Sequence, residues 1–194
     1  YDTITGFATY YDNPIPDQAI RSLRYDESTF SLVAGTTMHA DCNSAEPASS
    51  HCYFARFDAD CSLLDQHAAP QGPTLATVHG ALEPGKYLCE VSGTFSGAPQ
   101  SRWFALSLND FHVPGFDAMK RYPEKMHHVV ATEKPGLFIL FIGDQLELWD
   151  MNLQEPLTVL YPQGAAYHAF VEDDSVLLVT PKEVIVLENC LAGF

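Results

Sequence analysis

His39, Cys42, His51 and Cys52 bring two imidazoles and two thiols into one short stretch. A His-x-x-Cys pair followed by His-Cys offers a tetrahedral zinc site with two nitrogen and two sulfur ligands. The spacing is not that of a known finger, and neighbours such as His51 and Cys52 point to opposite faces of any strand. A Cys42–Cys52 disulfide and plain thiols are the competing readings. No metal and no cofactor is expected. His127-His128 reads as one partly buried and one exposed histidine of a strand. Two carboxylate groups stand out, Asp58 with Asp60 and Glu172-Asp173-Asp174. Paired acids can do glycosidase-type acid and base work or hold calcium, but the alternating Asp/Asn loop with its central Gly is absent, and solvated turn acids are the simpler reading. Ser92-Gly93-Thr94-Phe95-Ser96-Gly97 comes nearest to a nucleophile elbow and lacks its Gly-x-Ser-x-Gly pattern; it reads as a strand connection. The sequence holds no P-loop, no dinucleotide fingerprint, no HExxH and no basic stripe. No catalytic residue is assigned from sequence.

The elements that must position these residues are strands. Runs of Val, Ile, Phe, Tyr and Leu recur between clusters of Gly, Pro, Asn and Asp. Strands are expected at Thr5–Tyr10, Thr29–Gly35, Cys52–Asp58, Leu75–His79, Lys86–Ser92, Arg102–Leu108, His127–Thr132, Leu137–Ile142, Gln145–Asp150, Leu157–Tyr161, Ala166–Glu172, Val176–Thr180 and Glu183–Glu188. Gly143-Asp144, Asp173-Asp174 and Pro181-Lys182 are hairpin turns. In Glu83-Pro84-Gly85-Lys86, Pro fixes φ and Gly supplies positive φ. Pro16–Leu23 reads as a short amphipathic helix, and Phe116–Tyr122 as one or two helical turns. Thr36–Ser50 and His67–Thr74 read as loops.

Grouped in fours, the strands form units near 19–69, 74–118, 126–162 and 165–189, with Thr5–Tyr10 available to complete the last. In the third unit, Leu146-Glu147-Leu148-Trp149-Asp150 resembles the Trp-Asp strand end of WD-repeat blades, although the Gly-His element of that family is missing and no other unit carries Trp-Asp. The resemblance covers residues 126–162 and implies a small β-propeller of about four blades closed by an N-terminal strand. Repetition around an axis leaves only short, protected sheet edges. A β-sandwich is the alternative. Gly6-Phe7-Ala8-Thr9-Tyr10-Tyr11 also resembles the opening of double-psi barrel proteins of the barwin and expansin type, with no later match to their catalytic acid region. Residues 1–194 are expected to form one all-β domain.

Charge narrows the function classes. Twenty-five acidic against ten Lys and Arg side chains give a net charge of −15, which repels nucleic acid and anionic membranes and attracts cationic partners. No apolar run reaches membrane-spanning length, so neither membrane insertion nor a spanning helix is expected. No signal peptide is visible at Tyr1. Five cysteines, an odd number, favour a reducing cytoplasm, with an exported chain pairing Cys42–Cys52 and Cys61–Cys89 as the alternative. The leading functional expectation is a soluble binding or inhibitory protein that recognises a basic protein, an immunity protein neutralising a cationic toxin being one concrete form. Its contact residues are expected to be exposed aromatics, Tyr10, Tyr11, Trp103, Phe111 and Tyr122, with Asp110, Asp117, Asp173 and Asp174. A hydrolase with a metal or carboxylate pair and a carbohydrate-binding module are the alternatives. Glu183–Glu188, as an edge strand, would favour a homodimer.

Overall fold

The computed structural model describes residue 15 and residues 18–38, 51–70, 73–95, 98–121, 126–152, 154–161 and 168–194. The fifteen strands among the described residues fall into four antiparallel meanders that follow the chain. The first holds β1 (Gln18–Asp26), β2 (Ser31–Met38), β3 (Tyr53–Phe57) and β4 (Leu63–Ala68). The second holds β5 (Pro73–Glu83), β6 (Lys86–Phe95), β7 (Ala98–Ser107) and β8 (Lys120–Arg121). The third holds β9 (Met126–Ala131), β10 (Leu137–Ile142), β11 (Gln145–Asp150) and β12 (Glu155–Tyr161), and the fourth β13 (His168–Glu172), β14 (Ser175–Val179) and β15 (Val184–Leu187). Among the described residues the strand pairing between the first two meanders is that of Thr37 with Leu75.

The meanders stack face to face, because their middle strands are apolar on both sides. Leu137–Ile142 is a continuous apolar run with four consecutive buried residues. Its alternate side chains feed two cores: Phe138 and Leu140 meet Leu82, Leu88 and Trp103 of the second meander, while Ile139 and Phe141 meet Val176 and Leu178 of the fourth. Alternation across the strand produces that division. β6 behaves alike, with Leu88 facing the third meander and Tyr87, Cys89 and Val91 facing Phe54 of the first. The first strand of each meander lies beside the first strand of the next, β1 by β5, β5 by β9 and β9 by β13. Four stacked meanders with their first strands side by side form a β-propeller-like array, and the sandwich alternative does not hold. Among the described residues the sheets do not close into a ring. The expected closing strand, Thr5–Tyr10, lies outside the described residues.

Both strands of the Leu137–Asp150 hairpin match expectation residue for residue, and the repeat boundaries fall within a few residues. The expected helix at Pro16–Leu23 does not form; β1 occupies 18–26 and pairs with β2. A register shift between Ile20 and Ser22 adds a residue there. That bulge breaks the two-residue alternation and leaves Ile20 and Leu23 spaced as on a helix. β4 was not expected. It is an edge strand of mixed, largely exposed residues and carries no apolar alternation. The start of the first expected loop, residues 36–38, and both ends of the second, residues 67–68 and 73–74, are strand, and β6 continues to Phe95 through the expected connection. Phe116–Ala118 forms one 3-10 turn. No described helix is long and apolar enough to cross a membrane.

Candidate functional site: an acidic loop edge and a cationic cleft

In an antiparallel meander, successive connectors alternate between the two ends of the sheet. Here the β1–β2, β3–β4, β5–β6, β7–β8, β9–β10, β11–β12 and β13–β14 connectors share one end with the C-terminal segment. Hydrogen bonds tie this edge together from meander to meander. Gly85 N donates to Asp26 Oδ2 at 3.2 Å, Arg56 Nη1 to Leu108 O at 3.0 Å, and Gly136 N to Ala81 O at 2.9 Å. Asn152 Nδ2 donates to Leu82 O at 3.3 Å, and Lys134 Nζ to Leu191 O at 2.7 Å.

The edge is strongly acidic. It carries Asp26, Glu27, Asp58, Asp60, Glu83, Asp110, Asp117, Glu133, Asp173, Asp174 and Glu188 against Lys86, Lys120 and Lys134. Lys86 is occupied by Glu83 at 2.9 Å and Lys134 by Asp174 at 2.7 Å, while Lys120 makes no ion pair with a described residue. Asp110, Asp117 and Asp173 are exposed and make no ion pair with a described residue, whereas Asp174 is half-buried in its bridge. The four expected acidic contacts therefore share one edge, three as open charges and one as a strut.

The aromatic expectations divide differently. Tyr10, Tyr11 and Tyr122 lie outside the described residues. Trp103 and Phe111 are not exposed anchors: they are 5 % and 7 % accessible, packed in two different cores. Strand alternation turns Trp103 toward the third meander, where its Nε1 donates to Arg121 O at 3.2 Å. The most exposed aromatic described on the acidic edge is Phe30, 70 % accessible in the β1–β2 turn with φ +50°. A bulky residue in the left-handed region is uncommon. Phe30 sits within Thr29–Gly35, which reads as an ordinary strand, so periodicity alone concealed it. Phe194 is also exposed at this end.

His39 and Cys42 of the candidate zinc residues lie outside the described residues, and among the described residues no three His, Cys, Asp or Glu side chains gather to hold a metal. Cys52 is fully buried, and that burial pushes its thiol up to about 11. The alternative Cys61–Cys89 bridge does not form, since both are free. Burial raises Cys89 well above an ordinary thiol. A thiolate-selective reagent should label Cys61, which lies in the β3–β4 turn, before denaturant is added and reach Cys89 only on unfolding. Peptide mapping of the native labelled protein checks this, and early labelling of Cys89 would contradict the packing of the core. Asp58 and Asp60 lie beyond the end of β3, not on a strand face; Asp58 Oδ1 accepts the Asp60 and Ser62 N–H groups and so organises a turn. His128 is exposed as one of its pair, with its ring 5.3 Å from Phe141 and 6.4 Å from His168.

A cleft of about 320 Å³ opens between the second and third meanders. Leu82, Leu88, Trp103 and Met151 make its apolar wall, and Lys86, Lys120, Asn152 and Gln154 are its polar members. Lys120 pairs with Trp103 across β7 and β8, which places both side chains on the sheet face turned to the third meander. Lys120 is exposed and makes no ion pair with a described residue. Gln154 is held at φ +60°.

The fold and its loop edge define a β-propeller-like domain. Among solved structures the chain is similar to the Dos1 propeller, with TM-score 0.54 and 16 % identity, over 96 % of this chain and 45 % of that one. It is similar too to prolyl oligopeptidase B from Galerina marginata, with TM-score 0.54 and 15 % identity, over 89 % of this chain and 24 % of that one. The chain thus spans less than half the length of either protein. At such identities the likeness is one of fold alone. No protein-family model matches the sequence, and no curated protein does.

Proposed function

We propose that this chain is a binding module whose acidic loop edge docks a basic protein partner. The observation that carries this reading is the charge of this edge: among the described residues carboxylates from all four meanders collect there, and Lys86 and Lys134 among them are already paired. Such a field steers a cationic surface and speeds its association more than it deepens the final affinity. Phe30 supplies an apolar anchor amid the charge, the kind of residue that fills a pocket on a partner. A protein that neutralises a cationic toxin is one concrete form of this module.

The test compares the native chain with a variant carrying Asp110→Asn, Asp117→Asn and Asp173→Asn. A basic protein captured at low salt is purified and its binding followed by stopped-flow mixing. The association rate should fall about tenfold in the variant and fall again as salt rises. Phe30→Ala should chiefly speed dissociation. Retention of the partner that responds to neither salt nor the triple variant would sink the reading.

A further inference from the structure

We propose that the cleft between the second and third meanders is a ligand site for a small molecule with a flat apolar body and one anionic group. The inference does not depend on the acidic edge being a docking surface. Its volume, about 320 Å³, lies at the lower end of small-molecule sites, which run from about 300 to 1,000 Å³. The wall of Leu82, Leu88, Trp103 and Met151 is the open end of a core cluster, so an apolar body placed there continues existing packing. The indole is already oriented by its bond to Arg121 O, so it need not be ordered on binding.

The sign of the ligand's charge follows from the cations. The whole chain has ten Lys and Arg side chains, and two of them line this one cleft. Lys86 is held by Glu83 at 2.9 Å, while Lys120 makes no ion pair with a described residue. Lys120 therefore takes the anion, set by strand pairing over Trp103, while Lys86 stays engaged with Glu83 at the rim. Asn152 and Gln154 bring side-chain amides to the rim. The Gln154 backbone, at φ +60°, adopts a conformation that is strained for a non-glycine residue, and strain of that kind gathers at ligand clamps. Asp150 O accepts the Gln154 N–H at 2.7 Å and fixes the turn in that shape.

The experiment titrates the intact chain with 1-naphthyl phosphate and 1-naphthoate, using 1-naphthol and inorganic phosphate as controls, by calorimetry and tryptophan fluorescence. At least one naphthyl anion should bind at least tenfold more tightly than either control. Lys120→Gln should weaken that anion at least fivefold, and Lys86→Gln should weaken it less. Lys120 is exposed, so its variant should leave the unfolding midpoint unmoved, and Lys86 is half-buried with only a surface ion pair to lose, so its variant should shift the midpoint little. No binding of either naphthyl anion up to millimolar concentration would overturn the proposal, as would equal affinity for the Lys120→Gln variant. Equal binding of 1-naphthol would show a plain apolar cleft and would overturn it too. Lys120→Gln makes the molecule more acidic and so leaves attraction of a basic protein intact, which keeps failure here distinct from failure of the docking edge.

Discussion

Gly35→Val should leave the chain unable to fold, and Gly35→Ala should cost about 3 kcal/mol in chemical denaturation. A Cβ at Gly35 would lie 2.4 Å from Ala76 O and 2.7 Å from Ala76 C, both backbone atoms of β5, and 2.9 Å from Ser22 Oγ. None of these can rotate away freely. Ser22 Oγ is engaged, since it accepts the Val78 N–H at 2.7 Å. Overpacking a well-filled core ordinarily costs about 1–3 kcal/mol through side-chain adjustment. Here two inner strands must separate, so the upper end of that range applies. Gly115→Ala is the control, because no atom lies within 4 Å of its Cβ position and its φ of −62° suits any residue. If Gly35→Ala proved as stable as Gly115→Ala, the close approach of β2 to β5 would be wrong.

The same constraint recurs one meander on and can be tested by exchange. A Cβ on Gly80 of β5 would lie 2.4 Å from the Ala131 Cβ of β9. Gly80→Ala should destabilise, and adding Ala131→Gly should restore part of the loss, since the clash lies between two methyl positions. Coupling of this sign is the mark of direct contact. Close glycine approach brings β2 against β5 at the first junction and β5 against β9 at the second.

The sequence displayed the strands more openly than the surfaces. Leu137–Ile142 could be read because both its faces are buried and nothing interrupts the apolar run. Gly143-Asp144 and Asp173-Asp174 could be read because a two-residue hairpin requires positive φ, which Gly143 and Asp173 supply. The spacing of four strands per unit followed. β1 stayed hidden because its bulge imitates a helical spacing, and β4 because an edge strand owes its place to backbone pairing rather than to side-chain burial. For the site, Asp110, Asp117, Asp173 and Asp174 were legible as charges, but their convergence was not. Residues 63 positions apart meet at one edge only because connectors alternate ends. The cleft left no signal at all. Lys86, Lys120 and Gln154 become neighbours through stacking, and Trp103 looks equally suited to a surface or a core until its face is known.

Asp26→Asn should lower stability at neutral pH by at least 2 kcal/mol and remove part of the acid sensitivity of the fold. Asp26 is 4 % accessible and lies where β1 turns into β2. Its Oδ1 accepts from Ser28 Oγ at 2.6 Å, Thr29 N at 2.8 Å and Thr29 Oγ1 at 2.9 Å. Its Oδ2 accepts from Tyr87 OH at 2.8 Å and Gly85 N at 3.2 Å. Burial by itself would raise the carboxyl above its ordinary 3.8, but the bonds from Ser28, Tyr87 and Thr29 outweigh burial and hold it at about 2. An asparagine must aim its amide NH₂ at one set of donors, whichever way it is turned, and so leaves them unsatisfied. Because the folded value lies below the unfolded one, the contribution is fully present above about pH 4 and is lost as pH falls toward 2. The gap between 3.8 and about 2 corresponds to roughly 2 kcal/mol. Between pH 4 and 2 the wild-type stability should therefore fall more steeply than that of Asp26→Asn, by about this amount, as urea melts at a series of pH values would measure. Parallel pH profiles would mean that the five donors do not hold the carboxylate. The consequence reaches the proposed docking edge, because these bonds fasten the turn that carries Phe30 to the β5–β6 turn: Asp26→Asn should speed dissociation of a partner as Phe30→Ala does, without removing any exposed charge.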